Sequence, residues 1–132
     1  MLSKPSKTMS KKTKSPAPTF MFVFRNPADM PDPTPEQMQQ SFQKWMAWIN
    51  AMRARGQYLA GEPLEDAPAA VLRGPRGGQA TDGPFAEAKE VVAGYMLIAA
   101  KNFAAASRIA QACPGYAVGG SVEIRQIMPM PM

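Results

Sequence analysis

Phe20-Met21-Phe22-Val23-Phe24 is an unbroken apolar run. Side chains of a strand alternate between two faces, so such a run predicts a strand covered on both sides. Val91 to Ala100 repeats the pattern almost without interruption and predicts a second strand of the same kind. Between them, Thr34 stands where a helix N-cap would, with Pro35 at the first helical position and Gln37 placed to close a capping box. The helix is expected to run to about Arg55 and stop at Gly56. Met38, Phe42, Trp45, Met46, Ile49 and Met52 recur at spacings of three and four, one apolar stripe along that helix.

The remaining pattern fills in the order. Arg25 to Pro33 carries three prolines and reads as a loop. Gln57 to Ala60 reads as a short strand, and the acidic, proline-broken stretch from Gly61 to Pro68 as a loop. Ala69 to Arg73 and Gln79 to Asp82 flank Gly74-Pro75-Arg76-Gly77-Gly78, a β-hairpin pattern. Asn102 can cap a second helix over Phe103 to Cys113, ended by Pro114-Gly115, with Phe103, Ala106, Ile109, Ala110 and Cys113 on its buried face. Ser121 to Met128 is a last strand, Val122 and Ile124 facing inward and Glu123 and Arg125 outward.

The order β-α-β, hairpin, β-α-β is an α+β chain on the split βαβ, or ferredoxin-like, plan, with the hairpin inserted after the second main strand. In that plan the first and third main strands are central, and here they are the two most apolar ones. Two helices cover only one face of a four-stranded sheet. The other face of those central strands therefore needs a cover. A second copy of the chain, sheet against sheet, is the simplest one; the 61–90 insertion folding back is the alternative.

Charge changes the picture only once it is located. The chain of 132 residues has a formal net charge of +5, which invites a nucleic-acid reading. Lys4, Lys7, Lys11, Lys12 and Lys14 account for all of it, because residues 1–18 contain no acid. That segment is Ser, Thr, Pro and Lys and is expected to be a disordered tail. Residues 19–128 form the expected domain, balanced in charge, and 129–132 a frayed terminus. No apolar run long enough for a secretory signal or a membrane span follows the lysines. The single cysteine, Cys113, excludes an internal disulfide. Both features lead to the expectation of a cytoplasmic protein.

The absence of histidine removes Ser-His-Asp and Cys-His catalysis and the usual zinc and iron sites. Cys113, on the buried face of its helix, reads as an inert small hydrophobe. No dinucleotide or phosphate-loop glycine pattern follows a strand, so neither cofactor nor metal is implied. Gly77-Gly78 beside Arg73 and Arg76 is read as a hairpin turn rather than an anion cradle. The dense polar stretch is Asp82-Gly83-Pro84-Phe85-Ala86-Glu87-Ala88-Lys89-Glu90. Asp82 has two readings. As the residue before Gly-Pro it can cap a turn by accepting backbone N–H bonds, which local physics favours. At the rim of a cavity with Glu87, and with Lys89 or Arg125 near, a partly desolvated carboxylate could act as a general base. The Tyr95 ring is placed in the core, its hydroxyl in need of a partner.

The same stretch carries a resemblance. Asp82-Gly83-Pro84-Phe85, its flank through Glu90, and Gly94-Tyr95 resemble the signature of the YCII-related proteins, in their DGPF-motif branch. The likeness extends through the alanine-rich second helix, Cys113-Pro114 and Ser121-Val122-Glu123-Ile124-Arg125, with Gly61-Glu62-Pro63-Leu64 upstream. It covers roughly Phe20 to Met128. The resemblance implies a ferredoxin-like fold dimerising through its sheet as a dimeric α+β barrel. Relatives in the wider family have been proposed to use a His–Asp pair, which a chain without histidine does not have, so neither role is carried over. DGPF-type proteins often occur beside extracytoplasmic-type sigma factors, and related barrels include isomerases and monooxygenases of small organic molecules.

Three functions follow as expectations. The first is binding or turnover of a small molecule in a cleft near Asp82, lined by Glu62, Glu87, Lys89, Tyr95 and Arg125. The second is a non-enzymatic regulatory partner of a sigma factor or other transcription component. The third, nucleic-acid binding, has only the lysine tail to support it. The sequence does not decide whether the chain is an enzyme.

Overall fold

The apolar run at Phe20 becomes the centre of a nine-residue strand, β1 (Thr19–Pro27). The computed structural model describes residues 17–82 and 89–131, without the side chains of 79–82. The expected tail, apart from Ala17 and Pro18, lies outside the described residues. After β1 come α1 (Pro35–Ala54), β2 (Tyr58–Pro63), β3 (Ala70–Arg73), β4 (Gln79–Asp82), β5 (Glu90–Ala99), α2 (Phe103–Ala110) and β6 (Ser121–Gln126). Four strands form one antiparallel sheet in the order β2-β5-β1-β6, and β3 pairs with β4 in a separate hairpin. The chain is a mixed α and β structure whose two apolar strands, β1 and β5, occupy the middle of the sheet.

Both helices lie on the face presented by Phe20, Phe22 and Phe24. These side chains, with Met96 and Ile98 of β5, Trp48 and Met52 of α1, and Ala106 and Ala110 of α2, form the core. Its centre is aromatic. Phe24 meets Trp45 edge-on at 5.0 Å between ring centroids, and Phe22 stacks on Trp48 at 6.3 Å. Aromatic pairs in these arrangements add about 0.5–1.5 kcal/mol each to the burial they represent.

The α1 cap forms as its residues dictate. The Thr34 hydroxyl accepts from the Gln37 N–H, and the Gln37 side chain accepts from the Thr34 N–H. The stripe, however, is not buried along its whole length. Met38 is 59% and Phe42 65% exposed, whereas Trp48, absent from the expected stripe, is buried. Core side chains reach α1 only from Trp45 onward, so the first turns project beyond them. Phe103 likewise is half exposed, its ring touching Phe20 only edge-on. The second helix stops at Ala110, three residues earlier than the sequence predicts. Pro114 disfavours helical backbone at the residue before it, and Cys113 is extended at ψ 128°. A short 3-10 turn over Pro114–Val118 leads to β6.

Two loops of the sequence reading are strand instead. Arg25–Pro27 continues β1 past an irregularity at Phe24/Arg25, and Gly61–Pro63 continues β2. Pro63 is tolerated because β2 is an edge strand, where a missing N–H need not break the ladder. Gly61 and Gly94 are required for the close β2–β5 approach. A Cβ on Gly94 would lie 2.8 Å from the Glu62 carbonyl oxygen, and one on Gly61 2.9 Å from that of Tyr95.

Candidate functional site

Strand alternation assigns the other sheet face. Register partners share a face, so Ala60, Leu97, Met21 and Arg125 form one row across it. Glu62, Tyr95, Val23 and Glu123 form the next. The middle of this face is apolar, from Met21, Val23, Tyr95 and Leu97, and its two edges are charged. Among the described residues no helix lies on it, because α1 and α2 both pack on the Phe20–Phe24 side. The β3–β4 hairpin forms a sheet of its own with Leu72 63% exposed, and makes no extensive packing with the four strands among the described residues. Met21, Val23, Tyr95 and Leu97 are each partly buried by their neighbours alone.

The β6 edge carries a three-residue charge cluster. Glu123 accepts a short hydrogen bond from Arg25 through Oε1 and another from Arg125 through Oε2 at 3.3 Å. The Arg25 hydrogen bond, then that of Arg125, holds the Glu123 carboxyl below the usual carboxylate range. Its exposed position keeps the energetic worth of the cluster small. What the cluster fixes is geometry: Arg25 of central β1 is tied to Glu123 on β6, and Arg125 is left 72% exposed in its side chain, able to meet an anion.

The residues singled out from the sequence fall into separate places. Glu62 and Tyr95 are direct register partners on the uncovered face. Among the described residues nothing hydrogen-bonds the Tyr95 hydroxyl, so it is left to water or to whatever covers the face. Arg125 shares the face but stands on the opposite edge and one row along, about 16 Å from Glu62. Lys89 is exposed, one residue before β5 and six before Tyr95, about 20 Å along an extended strand. Its carbonyl accepts from Ala28 N–H at 2.8 Å. The structure does not bring Lys89 to Glu62 and Tyr95. Asp82 ends β4, opposite Ala70, and its side chain lies outside the described residues. Glu87 and the rest of Gly83–Ala88 do too.

Arg25 and Glu123 were not singled out from the sequence. The alternation of β6 already turned Glu123 outward, but only the β1–β6 register places Arg25, opposite Ser121, on the same face one row from Glu123. Cys113 is buried, its thiol pushed up by that burial against a smaller opposing effect of the Gly115 N–H. It is therefore a poor nucleophile. Among the described residues no three His, Cys, Asp or Glu side chains converge as metal ligands. No described helix is long and apolar enough to cross a membrane.

Comparison with known families gives one match. The family model of the YCII-related domain matches residues 20–131. No curated protein matches the chain.

Proposed function

Because the chain belongs to the YCII-related family, we propose that it works as a homodimer, two sheet faces opposed around a cavity for a small organic molecule. The observation that carries this reading is the uncovered face, apolar in the middle and charged at its edges. A second copy removes Met21, Val23, Tyr95 and Leu97 from water, at about 25 cal/mol for each Å² of apolar surface buried. Charged edges ring that apolar patch and suit the polar end of a ligand. The strand order β2-β5-β1-β6 supports the ferredoxin-like plan. The sequence Asp82-Gly83-Pro84-Phe85 supports membership of the DGPF branch.

In this reading Glu62 and Tyr95 supply a carboxylate and a phenol side by side on the cavity wall, and Arg125 an anion contact at the far edge. Asp82, the last residue of β4, is the proposed general base. Such chemistry suits proton transfer on small organic acids or ketones, without a metal or a redox cofactor.

Native mass spectrometry tests the whole reading on the full chain, reporting assembly and bound molecule together. The expected result is a dimer that carries a small molecule. Leu97→Arg, with a charge in the middle of the apolar patch, is expected to give a folded monomer without it. Asp82→Asn is expected to keep the dimer and lose the molecule. A wild-type monomer, or a Leu97→Arg dimer, overturns the assembly. An Asp82→Asn protein that retains the molecule but melts much lower returns Asp82 to turn capping. A transcription component captured equally by wild type and Asp82→Asn would favour the sigma-factor role instead.

A further inference from the structure

The helical side of the sheet holds a groove, remote from the face just described. α1 and α2 part at the end of the sheet where β5 finishes, leaving an open groove of about 480 Å3. That is within the roughly 300–1,000 Å3 of small-molecule sites. Its floor is core: Trp48, Met52 and Ala100 are 8%, 2% and 7% exposed and present their outer surfaces to it, beside Ile109.

The rim is of one sign. Arg55 at the C-cap of α1, Lys101 one residue before the N-cap of α2 and Arg108 in the last turn of α2 line the groove, and among the described residues no acidic one does. None of the three has an ion-pair partner among the described residues. Ala105, Arg108 and Ile109 recur at helical spacing, so α2 turns one face into the groove, with Lys101 just before its N-cap and Ala112 just past its end. Three cations without an ion-pair partner among the described residues, around an apolar floor, are poorly matched to a neutral or cationic occupant. They match an amphiphilic anion.

We propose that this groove is a binding site for a small amphiphilic anion, with a hydrocarbon body against Trp48, Met52 and Ile109 and a carboxylate or phosphate head between Arg55, Lys101 and Arg108. The alanines at 51, 105 and 112 leave the width that the body needs. The groove is independent of the opposite sheet face, so occupancy does not require dimerisation.

The test is a titration of the full chain with octanoate and with octyl phosphate, followed by NMR at the Trp48 indole N–H, the Met52 methyl and the Ile109 methyls. The expected result is saturable shifts at these three residues with at least one of the anions. Octylammonium at the same concentrations is expected to give none. Arg108→Gln with Lys101→Gln, both exposed and safe for folding, is expected to weaken binding by about tenfold or more, as loss of charge-assisted hydrogen bonds does. Ala105→Phe is expected to block the groove and abolish the shifts. Absence of saturable shifts with both anions overturns the proposal. So does equal binding of octylammonium, or unchanged affinity in the charge-removed double variant.

Discussion

Replacing Gly94 with alanine tests how the β2 edge is held against the sheet, and with it the position of Glu62. The backbone of Gly94 is not in the left-handed region, so alanine meets no dihedral strain there. The cost is contact. The new Cβ would sit 2.8 Å from the Glu62 carbonyl oxygen and 3.2 Å from the Pro63 Cα, both backbone atoms that no rotamer change can move. β2 must shift away from β5. Overpacking of this kind costs about 1–3 kcal/mol. Reduced freedom of the unfolded chain returns about 0.4–1 kcal/mol. The expected net loss is about 1–2 kcal/mol, a fall in melting temperature of roughly 5–12 °C for a domain of this size.

Equilibrium urea unfolding at fixed protein concentration measures the loss, and amide hydrogen exchange locates it. The Leu64 N–H, which donates to the Ala93 carbonyl at 2.9 Å, should exchange faster in the variant, while the amides of β1 keep their relative protection. A Gly94→Ala protein as stable as wild type, with Leu64 still protected, would refute the close-approach argument. It would also remove the reason for placing Glu62 beside Tyr95 so firmly.

The Glu123 cluster and Cys113 give two further expectations. The Glu123 carboxyl is held below its ordinary 4.5, first by Arg25 and then by Arg125, so its contribution to stability is present above about pH 4.5 and is lost as pH falls through the lowered value. Glu123→Gln should therefore flatten the acid side of a stability-against-pH curve measured by urea midpoints; an unchanged acid limb would contradict the cluster. Cys113, buried and with its thiol pushed up, should react with iodoacetamide at pH 8 more than about tenfold slower in the native protein than in urea, because only opened molecules react. Equal rates would place the thiol at the surface.

Much of the framework was legible in the sequence, because its signals are local. An apolar run without polar interruption gives a central strand, and Thr34-Pro35 with Gln37 gives the start of α1. What failed was whatever depended on neighbours distant in the chain. The spacing of Met38 and Phe42 fits the apolar stripe, yet spacing does not say where the core ends beneath the helix. Gly61 and Pro63 are turn formers by type, and only an edge position paired with Gly94 makes them strand. The candidate site divides the same way. Glu62 and Tyr95 were chosen from the sequence and stand side by side, but Arg25 and Glu123 needed the register of β1 against β6. Lys89 was chosen for its nearness in sequence to Asp82, and strand rise carries it away from Tyr95.

The central claim is that the uncovered sheet face pairs with itself. Sedimentation equilibrium of the full chain at micromolar concentration addresses it directly. The expected mass is twice the 14.3 kDa of one chain, falling to that of one chain in a folded Leu97→Arg variant. A wild-type mass of one chain across the accessible concentrations, with the native circular dichroism spectrum, would contradict it.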